Sequence, residues 1–299
     1  MRVKNQILMI LAMTTWGGAW VCGKAVSHDL NFQELAFVRF LLAFLFSVPP
    51  VLLFRKSLRI DNETIKKIII GSLFYTVYSQ FFFLGVARGS AGLGGLLVHT
   101  LIPIITFSAT MFLSRIRIHL LEASGLIMGF AGTLIILRIW SIDLEQLLRT
   151  GNLFFLISAF LWSGLTINSE KAQEKVSIWV FSFYLNGFSA ILQFLFAAPI
   201  GIGDLFPVTI SFWAYMIYLS LFSSVLATAV YFYAAKLLGP HKASVFTFLV
   251  PTSTIILSWI FLKEIPETST LIGGCISITA VYLVQYTKKP MANVAVISE

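Results

Sequence analysis

Charge is what this chain has least of. Of its 299 residues only 11% are Asp, Glu, Lys or Arg, against 58% hydrophobic, and the mean hydropathy is +0.89. An ordinary soluble domain carries about 25% charged residues, so this scarcity excludes a soluble globular protein and leaves an integral membrane one. Cysteine is nearly absent. Cys22 and Cys275 both lie in apolar runs and supply neither a disulfide framework nor a zinc ligand set, so they read as small hydrophobes. The thirteen acidic residues and four histidines are scattered rather than gathered at catalytic or ligand spacing. This argues against an intramembrane enzyme or metal centre, and no cofactor or metal is expected. No charged ring or carbonyl-filter motif appears, which disfavours a selective channel. Long polar linkers are missing too: connections such as "RGSAG" and "LLGPHK" are too short to hold a soluble domain. The net charge of +8 does not point to nucleic acid, because the cations sit in short loops beside apolar segments, as membrane topology requires.

What is present is a series of apolar stretches, each near the twenty residues or so that a helix needs to cross hydrocarbon. They run over 7–26, 35–54, 68–87, 91–113, 120–137, 153–169, 176–198, 212–235, 243–262 and 268–286, which predicts ten transmembrane helices. The first follows "MRVKNQ" without a small-x-small cleavage site, so it is expected to stay as a span rather than leave as a signal peptide. Placing the N-terminus in the cytosol puts fifteen Lys and Arg on that side and four on the other. The positive-inside bias therefore predicts both termini cytosolic in a multi-pass protein of the cytoplasmic membrane, with the bilayer as one obligatory partner.

The chain also resembles itself. An offset of 148 lays "LLVHTLIPIITF" (96–107) over "SVFTFLVPTSTI" (244–255), setting Pro103 on Pro251 and His99 on Thr247. An offset of 146 lays "WGGAW" (16–20) over "WSGLT" (162–166), and one of 149 sets Gly125 on Gly274. The common order predicts an all-α fold of two five-helix repeats, residues 1–140 and 141–289, followed by a flexible cytosolic tail at 290–299. An odd repeat enters the membrane upside down the second time, and the charges agree. The loop after the second span holds five cations and its partner after the seventh holds none, while the loop after the first holds none and its partner after the sixth holds two. Inverted repeats suit alternating access, with the site near the midplane where the repeats meet.

"TTWGGAWVCGK", "AFVRFLLAFL", "GSAGLGGLLVHTLIPIITFSATMFL" and "GPHKASVFTFLVPTSTIILSWIFLKE", taken in that order, resemble the EamA-type transporters of the drug/metabolite transporter superfamily across essentially the whole chain. The resemblance implies ten helices around a central cavity. It also implies movement of a small metabolite, an amino acid or a related polar or amphipathic compound, often outward. Members often carry Glu after the fourth and ninth spans. Here Glu264 fits, but "FLSR" puts Arg115 near the corresponding first position, so a symmetric carboxylate pair is not expected and Glu264 reads as a helix-end residue.

The candidate site residues follow from polarity at membrane depth. His99, Thr247, Trp16, Trp162, Tyr78, Gln80 and Tyr231 are the candidates for substrate contact. The competing readings are interfacial anchors for the tryptophans, lower for Trp20 as a site residue, and interhelical hydrogen-bond glue for the rest. His99 is either a helix cross-link, a substrate contact or a proton sensor with an unperturbed pKa of about 6.5. Lys24, Glu170 and Arg39 are read first as structural or gating charges, with Arg39 deepest and in need of a partner, and with contact to a substrate carboxylate as the sharper alternative for Arg39. Gly125 and Gly129 offer a small-residue face for close packing, and leave room for a homodimer. A non-transporting scaffold or receptor-like subunit is the alternative, though it gives no reason for sign-reversed halves with matched prolines.

Overall fold

The computed structural model describes residues 3–89, 91–114, 119–141, 150–201, 209–262 and 268–286, all helices and short connections. The helices are α1 (Val3–Val26), α2 (Phe32–Leu53), α3 (Asn62–Arg88), α4 (Ala91–Ser114), α5 (Leu120–Leu137), α6 (Thr150–Ala172), α7 (Ile178–Ala197) and α8 (Ile210–Ile217). From α8 the chain runs unbroken through a π-helical segment, Tyr218–Ala227, into α9 (Thr228–Leu238). After it come α10 (Pro240–Ser244), a 3-10 turn Val245–Phe248, α11 (Leu249–Leu262) and α12 (Thr268–Tyr286).

Polar residues at the borders start these helices. The Asp61 carboxylate accepts from Thr64 N at 2.8 Å to open α3. Glu34 reaches back to Asn31 N at 3.0 Å to open α2, and Thr209 receives Phe212 N to open α8. Each satisfies an amide that the first turn leaves without a helical acceptor. Gly239, at φ +90°, turns α9 into α10 in a conformation that a side chain would strain, and Pro240 then opens α10.

Among the described residues, eight helical stretches are long and apolar enough to cross a membrane: 4–26, 32–53, 62–88, 94–113, 120–141, 152–172, 178–197 and 210–238. The remaining two expected segments are shorter. The 3-10 turn leaves α11 with 14 residues, and α12 contributes an apolar stretch of 271–285. Glu264, Arg115 and the tail at 290–299 lie outside the described residues.

Four packings define the interior: α5 on α12, α2 on α7, α3 on α6, and α4 on α6. At the centre α1 packs against both α11 and the π segment. The predicted small-residue face is consumed within the chain. A Cβ at Gly125 would lie 3.0 Å from the Ala280 carbonyl oxygen of α12, whereas Gly129 makes room for Phe248. Large side chains such as Leu45, Phe160, Ile191 and Tyr282 point outward, as expected of a surface solvated by lipid.

Candidate functional site

The site begins with a missing amide. Pro103 lies inside α4 and has no N–H, so the carbonyl four residues earlier, that of His99, loses its helical donor. The Thr247 hydroxyl lies 2.9 Å from that oxygen and 2.8 Å from Ser244 O, and its single proton serves one of them at a time. The two residues that a shift of 148 superposes thus meet in space, each four residues before its proline.

The His99 side chain is tied from the other direction. Trp20 Nε1 donates to His99 Nε2 at 3.0 Å, which makes Nε2 the acceptor and assigns the proton of the neutral ring to Nδ1. Trp16 stacks on the same imidazole at a centroid separation of 5.9 Å, and meets Trp162 edge-on at 5.0 Å and Tyr231 at 4.9 Å. Tyr78 contacts Trp162 at 4.8 Å. These rings gather at one place because "WGGAW" and "WSGLT" put their first tryptophans on the inner faces of α1 and α6.

Opposite the rings stands the π segment. Its wide turns place Ser224 and Ser223 toward the centre. Arg39 Nε, from α2, donates to Ser224 Oγ at 2.9 Å, and Ser224 passes its own proton to Leu219 O five residues back. Ser223 O accepts from Trp16 Nε1 at 3.4 Å and from the Thr228 hydroxyl at 2.9 Å. Arg39 is 4% exposed, and its guanidinium lies 5.4 Å from the Phe82 ring centroid and 5.9 Å from that of Phe83 and makes no ion pair among the described residues. Trp16, Trp20, Arg39, Tyr78, Phe82 and His99, with Trp162, Ser223 and Thr228 from the other half, line a chamber of about 20 Å³, room for roughly one water.

The other predicted residues sit elsewhere. Tyr231 backs the tryptophans with its hydroxyl 3.2 Å from Thr166 Oγ1. Gln80 bonds Gln193 between α3 and α7, and Gln193 donates on to Thr76 O at 3.0 Å, so Gln80 is outside the chamber lining. Lys24 donates to Val86 O at 2.7 Å and Gly89 O at 3.2 Å, closing the end of α3. Glu170 is half-buried in the last turns of α6. Phe82, Ser223, Ser224 and Thr228 were not singled out from the sequence. The spacing of Ser220, Ser223, Ser224 and Thr228 on one helical face inside an apolar run was the available signal. A buried ion pair, Lys242 Nζ to Glu122 Oε1 at 2.9 Å, also escaped notice; it joins α10 to α5.

A polytopic helical membrane protein with a polar, aromatic-walled chamber between its two halves is a transporter in outline. Comparison with known proteins supplies the family: residues 4–138 and again 149–286 match the EamA-like transporter family, and the chain belongs to it. An uncharacterized transporter of Archaeoglobus fulgidus is 27% identical over 292 residues, 95% of this chain and 98% of that one. The uncharacterized transporter YoaV of Bacillus subtilis is 24% identical over 95% of this chain and 98% of its own. A chloroplastic WAT1-related protein of Arabidopsis thaliana is 26% identical over 224 residues, 71% of this chain and 52% of that protein. One solved crystal structure, 18% identical, shares the fold with a TM-score of 0.77 over 96% of this chain and 99% of its own. The chain is therefore a multi-pass membrane transporter rather than an enzyme.

Proposed function

We propose that this transporter carries a small metabolite, an amino acid or a related polar or amphipathic compound, through the central chamber by alternating access. Export across the cytoplasmic membrane is the direction we assign. The observation that carries the reading is that one chamber is closed by contacts between the halves: Thr247 to His99, Ser224 to Arg39, and Trp162 to Trp16. Rocking one half against the other breaks and remakes such contacts while the site stays at the midplane. The packing supports two repeats related by exchange, since α1 on α11 and α6 on α4 swap when first and second copies are swapped. Ten spans, inverted halves divided near residue 140, and cytosolic termini belong to this proposal. The ion pair between Lys175 and Asp61, at 2.7 Å, supports it by joining two loops that the charge count puts on one face.

Vesicles of reconstituted protein, loaded with labelled metabolites, test the function: saturable release that protein-free vesicles lack is the expected result, and its absence removes the transport reading. Single cysteines, placed on a background lacking Cys22 and Cys275, test the topology. Residues 27–34 are expected to label from outside intact cells, and a labelled tail beyond Lys289 overturns the assignment.

A further inference from the structure

The chamber wall is one-sided in its hydrogen-bonding chemistry. Among the described residues, two buried nitrogens of its lining side chains have no partner, Arg39 Nη1 and His99 Nδ1, and a third, Trp162 Nε1, has only the Tyr231 hydroxyl beside it. With the Trp20 bond fixing the His99 proton on Nδ1, all three are N–H donors. Their lining neighbours include no Asp or Glu, and Arg39 has Ser224 and two phenyl faces but no carboxylate. A guanidinium in a low-dielectric interior demands a counter-charge, and each unmet buried donor is costly. A single water offers two lone pairs and no charge. A carboxylate offers about four acceptor positions and a full negative charge, in the planar geometry that the guanidinium fork matches.

We infer that the chamber, widened when the two halves rock apart, takes a compound bearing a carboxylate, held by Arg39 with help from the Trp162 and His99 N–H groups, its apolar body lying against Trp16, Trp162 and Tyr78, and that the 20 Å³ space is the same site closed and empty. This rests on the transport reading for its consequence, but binding and flux report on the two separately. Arg39 contacts the cargo, whereas Ser224 and Trp20 are positioning residues, holding the guanidinium and the imidazole in place.

The probes are 3-phenylpropanoate, an anion, and phenylalanine, a zwitterion, against 3-phenylpropanamide and 2-phenylethylamine, which lack the carboxylate. Binding to the purified full chain is read by tryptophan fluorescence, and release from vesicles by the labelled compounds. Both carboxylates are expected to bind at least tenfold tighter than the amide and the amine, with the anion ahead of the zwitterion because no acidic group faces an ammonium. Arg39→Gln should erase the preference, and Arg39→Lys should weaken carboxylate binding about tenfold through loss of the planar fork. Thermal unfolding identifies the folded variants, and the wild-type comparison decides alone if neither folds. Equal or tighter binding of amide or amine overturns the carboxylate site, as does a folded Arg39→Gln protein that keeps the preference. Carboxylate binding without release keeps the site and removes transport. Release of the amine or amide in preference to the carboxylates keeps transport and removes the site.

Discussion

The Thr247 hydroxyl reaches 2.9 Å to the one α4 carbonyl, that of His99, which Pro103 leaves without a helical donor. Thr247→Val keeps the shape and deletes the hydroxyl, so the buried oxygen loses its partner at a cost of about 1–3 kcal/mol. Pro103→Ala returns the helical N–H, and in that background the same change is expected to be nearly neutral. Thermal unfolding of the four proteins in detergent checks the coupling. Independent, additive losses would show that proline and threonine do not act on one carbonyl.

Trp20 fixes the orientation and tautomer of the His99 ring. The Trp20 N–H points at Nε2 from 3.0 Å, which leaves the ring proton on Nδ1, and the chamber-lining residues include no Asp or Glu to pair with an imidazolium. Transport by the wild type is expected to be flat through the imidazole range around pH 6.5. Trp20→Phe deletes the donor that holds the ring, so its rate is expected to fall several-fold at every pH, and His99→Gln in the same background should add little further loss. A pH response in the wild type that survives in His99→Gln would exclude His99 as the sole sensor.

Glu122 and Lys242 are almost fully buried, and their ion pair spans the two halves. Glu122→Gln leaves the ammonium without its counter-charge and is expected to lower stability by about 3–5 kcal/mol. Replacing both, with Glu122→Leu and Lys242→Met, removes two desolvated charges and should recover most of that loss. A double variant as unstable as the single one would show that the pair is not what the charges need.

At the exposed pair, the hydrogen bond from Lys175 holds the Asp61 carboxyl well below the ordinary carboxylate range, with a smaller effect from Thr64, while Asp61 holds the Lys175 ammonium above its ordinary value. The Asp61 contribution is present above the ordinary value of about 3.9 and fades as pH falls through the lower folded value. The Lys175 contribution is present below about 10.4 and fades as pH rises through its higher one. Between those limits unfolding should be independent of this pair. Asp61→Asn keeps the cap and loses the charge, so its small effect at neutral pH should vanish in high salt. Persistence in high salt would assign the effect to the cap instead.

Much of this was legible before any coordinates, and the reason lies in which interactions a local pattern encodes. Pro103, His99 and Thr247 were found together because internal repetition superposes them, and superposed positions meet at a repeat interface. Arg39 was read as needing a partner because charge at membrane depth always does. That its partner is Ser224 depends on the π segment, Tyr218–Ala227, which packs against α1 and α2 and which no periodicity in the sequence announces. Trp20 stands below Trp16 and Trp162 on sequence grounds because the repeat offset pairs those two and sets Trp20 on Thr166, whereas its burial and its bond to His99 place it in the chamber wall. Glu122 and Lys242 lie 120 residues apart with no shared spacing, so their pairing carried no sequence signal.

The size of the chamber bears on what the membrane loses while the transporter stands idle. Protons cross proteins along chains of hydrogen-bonded water, and a space for roughly one molecule, about 20 Å³, is too short to hold such a chain. Within the chamber, the ring of Trp16, Trp20, Trp162 and Tyr78 therefore leaves no room for such a chain in this conformation.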